Sequence, residues 1–363
     1  VSTTTPPAAA PTPVALAELT TLRLGGPAPE LRIAASVDDV VAGVREAVRS
    51  DSGLLVLGGG SNLVIADAGV PDPVLRVAVP GVHVVPDAGS ADAVVATVGA
   101  GVDWDAAVAE LVDAGYGELA PLSGIPGSTG ATPVQNVGAY GTEVSDVLVA
   151  VQVVDRATGE VGRLTADELR LAYRSSVLRG TDRAVVTAVE FRLTTRPVTV
   201  RYAELARTLG VPVGGTAPAA AVREAVLGLR RGKGMVLDPE DKDTWSVGSF
   251  FTNPLLTTEQ AAVAGDAVRV RLGAETVWPA YPAEDGRVKW SAAWLIERAG
   301  FAKGHPGPGG RVSLSTKHTL ALTNRGDGTT EDLVALAREI RDGVRDAFTV
   351  TLEPEPVFVG VRL

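Results

Sequence analysis

Two glycine-rich segments are the residues of this chain whose types and spacing most directly suggest chemistry. The first, Gly58-Gly59-Gly60-Ser61-Asn62, sits between two short apolar runs. The second, running from Ile125 to Gly141, contains Pro126, Gly127, Ser128, Gly130, Ala131, Gln135, Asn136, Gly138, Ala139 and Tyr140. Backbone N–H groups approach a phosphate closely only where no Cβ intervenes, so such loops suit a flat, polar, phosphate-bearing cofactor. Alone, the first segment fits a tight turn between strands equally well. The second joins conformational freedom to side-chain amides and hydroxyls, more hydrogen-bonding capacity than a plain surface loop needs. Neither is a common nucleotide motif. There is no G-x-x-x-x-G-K-[ST], and no strand-G-x-G-x-x-G-helix unit with a following acidic residue.

A basic cluster, Arg230-Arg231-Gly232-Lys233, interrupts a chain whose formal net charge is −10. It offers one local seat for an anionic group, although a basic helix end is also favourable simply in the field of the helix dipole. The acidic balance argues against a general nucleic-acid binder, which needs a broad basic surface. Cysteine is absent, and His83, His305 and His318 are widely spaced with no H-E-x-x-H pattern. Disulfides, thiolate metal sites and a cysteine nucleophile are thereby excluded, and no metal is expected. No apolar stretch reaches the ~20 residues of a membrane-spanning helix. The opening residues lack the charged start and apolar core of a signal peptide, so a cytoplasmic location is expected.

The elements that must position these segments are legible from periodicity. Residues 1–15 read as a Pro/Ala/Thr-rich disordered tail. The spacing predicts a helix over 37–48, then strand, glycine loop and strand from Leu54 to Ile65. A strand over 93–98 precedes a helix N-capped by Asp103, with Trp104, Ala107, Val108, Leu111 and Val112 on one face. Val147 to Asp155, the turn Ala157-Thr158-Gly159 and Val161 to Leu164 read as a hairpin, and 185–193 alternates as a strand with one apolar face. Composition shifts at Thr195-Arg196-Pro197, marking a domain boundary. Beyond it come a helix over 219–231, the segment Gly248-Ser249-Phe250-Phe251, an amphipathic helix over 331–348 and a terminal strand from Val357. The fold class is α+β.

Several matches then occur in order. Gly58 to Asn62 is followed by Ile125-Pro126-Gly127 and Gln135-Asn136-Val137-Gly138-Ala139-Tyr140-Gly141. Next come Ala172-Tyr173-Arg174-Ser175-Ser176, Gly248 to Pro254, and Leu352-Glu353-Pro354-Glu355. This series resembles the UDP-N-acetylenolpyruvoylglucosamine reductase family from Leu22 to the C-terminus. The resemblance implies a flavoenzyme with non-covalent FAD. Such an enzyme reduces UDP-N-acetylglucosamine enolpyruvate to UDP-N-acetylmuramate, with NADPH as co-substrate, in peptidoglycan precursor synthesis. It also implies a monomer with a two-lobed FAD-binding fold of the vanillyl-alcohol-oxidase-like (PCMH) type and a separate α/β substrate-binding domain. The first lobe would comprise 16–80 with 336–363, the second 81–197, and the substrate domain 198–335, in the form with a substrate-closing tyrosine loop.

Site residues follow from the same resemblance. FAD would be held by Gly58, Gly59, Gly60, Ser61 and Asn62, and by the residues of the second segment named above, through Gly141. Arg174 would pair with the substrate carboxylate, since a guanidinium fork matches it in shape and charge. Ser249 would donate the proton to C2, with Phe250 and Phe251 keeping water out. Glu355, held protonated, would hydrogen-bond to the enolate-like oxygens. Lys233 would contact the diphosphate, with Tyr202 and Asn253 beside it, and Tyr173 and His318 would complete the substrate site. Where the family usually continues Glu-Val-Arg, this chain reads Glu355-Pro356-Val357, so Val357 stands in place of an arginine. Two rivals remain at this point. One is another FAD oxidoreductase of the wider group, acting on an alcohol or hydroxy acid. Those proteins often attach flavin through a His or Cys of the first loop, and this chain has neither there. The other is a catalytically silent flavin- or UDP-sugar-binding module, for which Arg174, Ser249 and Glu355 together would be unnecessary.

Overall fold

The computed structural model describes residues 13–283 and 286–363. The expected tail lies outside the described residues as far as position 12, and Val14–Ala15 already pairs antiparallel with Pro27–Ala28. The first lobe is built on a β–α–β unit. Strand Leu31–Ala34 leads into helix Val37–Arg49, which starts at a capping box: Asp39 N–H donates to the Ser36 hydroxyl, and the Asp39 carboxylate accepts from Ser36 N–H. The chain returns through Leu55–Leu57, and Val74–Val77 lies between the two as the centre of a parallel sheet. The strands flanking the first glycine segment do not pair with each other. Leu63–Ile65 pairs instead with Val357–Val359, from the far end of the chain. The glycine segment therefore bridges two sheets and is not the tip of a hairpin.

The second lobe is a five-stranded antiparallel sheet in the order Val161–Thr165, Leu148–Asp155, Ala184–Thr194, Ala93–Gly99, Val82–Pro86. Its central strand, Ala184–Thr194, is buried along most of its length on both faces, more than simple alternation implied. Helix Trp104–Asp113 covers it through Trp104, whose ring centroid lies 5.9 Å from that of Phe191. Helix Val37–Arg49 of the first lobe also packs against this sheet, so Val40 and Val44 share one core with Val151, Val189 and Phe191. The same core takes Val198, Leu205, Val222 and Val226 from the elements Val198–Thr199, Ala203–Leu209 and Ala219–Gly232. The compositional break at 195–197 falls between elements that share this core. The core changes only after Gly232.

A third core gathers helices Thr258–Leu272, Ala292–Ala299 and Thr330–Phe348 around two small antiparallel sheets. Leu333, Leu336, Ile340, Val344 and Phe348 are all at 0% exposure, as the helical spacing predicted. Each such side chain contributes about 1.5–3 kcal/mol on burial. This helix packs on the other two helices of the third core, a core that also takes in Leu22, Leu24 and Val64 of the first lobe. It meets the first lobe at its N-terminus. There the Asp67 carboxylate accepts from Thr330 N–H at 2.8 Å and from Glu331 N–H at 3.0 Å, and the Thr330 hydroxyl donates to Ile65 O at 2.6 Å. These bonds satisfy donors that a helix start leaves unpaired.

Candidate active site

The two glycine segments meet face to face. A Cβ on Gly59 would stand 2.6 Å from Gly127 Cα, and one on Gly60 would collide with the Leu19 carbonyl, in a backbone of φ +64°. The absent side chains therefore let the two loops approach each other, a packing reason beyond the phosphate-cradling one read from sequence. Backbone bonds dock the second segment onto the second lobe: Trp104 N–H donates to Gly127 O at 3.0 Å, Thr129 N–H to Val102 O at 2.9 Å and Gly130 N–H to Ala100 O at 2.9 Å. Between the loops and the third core lies a cavity of 770 Å³. It is lined by Gly58 to Asn62, Pro126, Gly127, Ser128, Gly130, Ala131, Gln135, Gly138, Ala139 and Tyr140. Arg174, Tyr202, Lys233, Ser249, His318 and Glu355 line it too.

Three remote segments are clamped together at its wall. Glu355 N–H donates to Phe250 O at 2.9 Å, and Glu355 O accepts from the Gln135 side-chain amide at 3.2 Å. Two residues on, Val357 N–H donates to Asn62 O at 2.9 Å. The Arg174 Nε atom lies 3.0 Å from Glu355 Oε1, and its terminal nitrogens donate to Gly138 O at 2.9 Å and Asn136 O at 3.4 Å. A guanidinium has further N–H groups on those terminal nitrogens, so the fork is oriented without being used up. Arg174 adopts φ +51°, an unusual backbone conformation for a non-glycine residue, in the tight turn closed by Ala172 and Ser175. Burial pushes the Glu355 carboxyl up from its ordinary range, against the opposing pull of Arg174 and Arg179. Ser249 follows Gly248, at φ +76°, and its hydroxyl makes no hydrogen bond within the protein among the described residues. Phe250 and Phe251 do not line the cavity. They are buried in the third core, with ring centroids 5.1 Å apart, and anchor the segment that carries Ser249.

At the other end of the cavity, Tyr140 and Tyr202 meet edge to face at 5.6 Å, and Lys233 Nζ lies 6.0 Å from the Tyr140 ring centroid. Burial, reinforced by Lys233, Lys303 and Arg230, lowers His318 to about 4 and keeps its imidazole neutral at pH 7. Arg230 is 8% exposed, donates to Met235 O at 2.7 Å, and has a buried Nε with no hydrogen-bond partner. Burial brings it down to about 10. In the sequence Arg230 stands only as one member of a basic cluster. The available signal was its position: Val222, Val226 and Arg230 lie in one i, i+4 row, so a cation sits on the apolar face of the helix, while Arg231 is exposed.

Four expected residues stand outside the lining. Asn136 is buried as a scaffold, at φ +44°: its amide donates to Glu143 and to Ala172 O, and its oxygen accepts from Ser145 N–H. Gly141 makes a left-handed turn against Arg201. Tyr173 and Asn253 face a neighbouring cleft of 630 Å³ on the other side of Arg174. There the Asn253 oxygen accepts from Ala292 N–H at 2.9 Å.

The cavity asks for a ligand with both donors and acceptors. Gln135 Oε1 is a buried acceptor without a partner, and Arg230 Nε a buried donor without one. Residues 30–165 match the model of an FAD binding domain, and residues 238–359 that of the UDP-N-acetylenolpyruvoylglucosamine reductase C-terminal domain. The UDP-N-acetylenolpyruvoylglucosamine reductase of Saccharopolyspora erythraea is 57% identical over 96% of this chain and 95% of its own length. The protein of the same name from Corynebacterium diphtheriae is 56% identical over 96% of this chain and 90% of its own. The crystal structure of the reductase from Thermus caldophilus aligns with a TM-score of 0.64 at 25% identity, covering 96% of this chain and 98% of that one.

Proposed function

The chain belongs to the UDP-N-acetylenolpyruvoylglucosamine reductase family, and we propose how its own residues carry that family's reaction. It is an NADPH- and FAD-dependent oxidoreductase that reduces UDP-N-acetylglucosamine enolpyruvate to UDP-N-acetylmuramate in peptidoglycan precursor synthesis. Its fold is the two-lobed FAD-binding type with a further substrate-side domain. The orphaned Gln135 and Arg230 atoms and the facing glycine segments fit FAD, which would be held by Gly58 to Asn62 and by Pro126 to Tyr140. When bound, FAD supplies the relay of a hydride from NADPH to C3 of the enolpyruvyl group.

As the hydride arrives, negative charge builds on C2 and its carboxylate, and the residues around Arg174 are arranged to receive it. The pinned guanidinium of Arg174 takes the carboxylate. Glu355, pushed by burial toward its neutral form, donates a hydrogen bond to the charged oxygens. Ser249 gives its hydroxyl proton to C2 and recovers it from solvent or a bound water. Lys233, with Tyr202 beside it, takes the diphosphate, and His318 acts as a neutral donor or acceptor to the sugar nucleotide. Tyr173 lies against Arg174 in the neighbouring cleft, which Asn253 lines in place of the cavity that holds Lys233.

The observation that carries this reading is the approach of Arg174 to Glu355 at 3.0 Å, on one cavity wall with Ser249. The cores suggest a division slightly different from that read in the sequence. The first lobe would be completed by the terminal strand alone, the second would extend through Gly232, and the third would include Thr330–Phe348. No described helix is long and apolar enough to cross a membrane. We take the enzyme to be a cytoplasmic monomer, in keeping with its nucleotide substrates. The test is an anaerobic visible spectrum. NADPH should bleach the flavin band, and the enolpyruvyl ether should restore it. In Ser249→Ala the bleaching should survive and the recovery should slow by about 10²-fold or more. Recovery at the wild-type rate would remove Ser249 from the chemistry.

A further inference from the structure

Lys233 already has an anion. Its Nζ lies 2.6 Å from Glu204 Oε2, and both side chains are about one-third exposed, at 34% and 35%. Lys233 lines the main cavity, whereas Glu204 lies beyond it, in a surface depression that Lys233 also borders. Glu204 stands in the first turn of helix Ala203–Leu209, two residues after Tyr202, which forms the edge contact with Tyr140. Lys233 and Glu204 also act together at His318, the lysine lowering its basicity and the glutamate opposing that effect.

We propose that Glu204 is an internal stand-in for a diphosphate: it neutralises Lys233 between ligands and competes with the incoming diphosphate for that ammonium. The inference rests on reading Lys233 as the diphosphate contact. An ammonium has three donors, so it can touch both anions, but a diphosphate brought beside a carboxylate meets like charge in a partly desolvated place. Binding therefore loosens the Glu204 contact or pays for the repulsion. Two diphosphate-bearing partners, the dinucleotide and the sugar nucleotide, must bind and leave in each turnover. A resident carboxylate keeps either from being held too tightly at Lys233.

The experiment measures affinity by calorimetry on the FAD-loaded enzyme, with UDP and NADP+ as separate probes. Glu204→Gln keeps the shape and removes the charge. It should tighten diphosphate binding by about 1.5- to 5-fold, the scale of a partly exposed ion pair. Lys233→Met should weaken binding, and in that background Glu204→Gln should change nothing. A gain for UDP alone assigns the seat to the sugar nucleotide, a gain for NADP+ alone to the dinucleotide, and a gain for both to a shared seat. Unchanged or weaker binding of both probes in Glu204→Gln, with Lys233→Met still weakening it, would overturn the proposal and make Glu204 a support for the lysine. Unchanged binding in Lys233→Met would instead overturn the reading of Lys233, and the proposal with it. Glu204→Ala, judged against its own melting temperature, guards against an effect peculiar to glutamine, because damage to the fold lowers affinity and only loss of a competitor raises it.

Discussion

Replacing Glu355 with glutamine should make the enzyme slower and more stable at once. The side chain is partly buried, at 22% exposure, and burial raises its titration even with Arg174 3.0 Å away. A raised carboxyl favours folding below the unfolded-state value, and that contribution is lost as pH rises through the folded value. At pH 8 this residue is ionised in the unfolded chain and folding disfavours that charge, a cost that Glu355→Gln escapes. Its melting temperature should exceed that of the wild type at pH 8, and the gap should close as pH falls below the ordinary glutamate range. Kinetically, a hydrogen bond to a charged group is worth about 1.5–3 kcal/mol, roughly 10- to 150-fold in rate. Glu355→Ala, which removes the donor, should lose that much in the reoxidation of reduced flavin by the enolpyruvyl ether. Glu355→Gln retains an N–H and should lose less, with a flattened alkaline limb in its pH profile. Stopped-flow absorbance of each half-reaction separates the effects, since reduction by NADPH should stay within about 3-fold of wild type. A glutamine variant as slow as the alanine variant, melting lower at pH 8, would refute the neutral-donor role and point to a working carboxylate.

Arg179 donates to Arg174 O at 2.9 Å and is one of the two cations that hold Glu355 down. Arg179→Met should move the alkaline limb of reoxidation to higher pH and raise KM for the ether by about 3- to 10-fold, while Arg179→Lys should restore the pH profile. Gly59→Ala would press a methyl group 2.6 Å from Gly127 Cα. Such overpacking costs about 1–3 kcal/mol, and the purified protein should show a reduced ratio of flavin to protein absorbance. Full flavin content with an unchanged melting temperature would mean that the loops part without consequence.

Periodicity identified the helices over 37–48, after the cap Asp103, over 219–231 and over 331–348, because their buried faces are one-sided. It did not mark Ala203–Leu209, Thr258–Leu272 or Ala292–Ala299, the second of which buries only Ala264, Gly265 and Val268. It did not say what each face would meet. Helix Thr330–Phe348 shows the difference: its apolar row was evident, but its partners are helices 58 or more residues upstream in the case of Thr258–Leu272 and nearer in the case of Ala292–Ala299. At 195–197 proline and charge mark a bend in the chain, and a bend need not end a core. Glycine spacing marked both loops, yet the reason for Gly59 lies in another segment's backbone, which no local pattern contains. Asn136 illustrates the converse, since its neighbourhood suggested a ligand contact while the amide is consumed in holding the loop's own shape.

The placement of Glu355 explains why the site draws on such distant parts of the chain. A carboxyl kept near its neutral form must be out of water, so all its backbone polar groups need partners as well. Here the N–H is taken by Phe250 O and the carbonyl by Gln135, and Val357 N–H is taken by Asn62 O. Each partner comes from a segment that also contributes a lining residue: Ser249 beside Phe250, the second glycine loop around Gln135, and the first loop at Asn62. The bonds that shelter the acid are therefore the bonds that assemble the cavity around it. Val357 fits the same logic. It opens the strand that pairs with Leu63, partly exposed at the cavity wall. Arg174 and Arg179 are the cations acting on Glu355. An apolar residue at 357 adds no further cation to hold that carboxyl down, which fits the neutral donor proposed for Glu355.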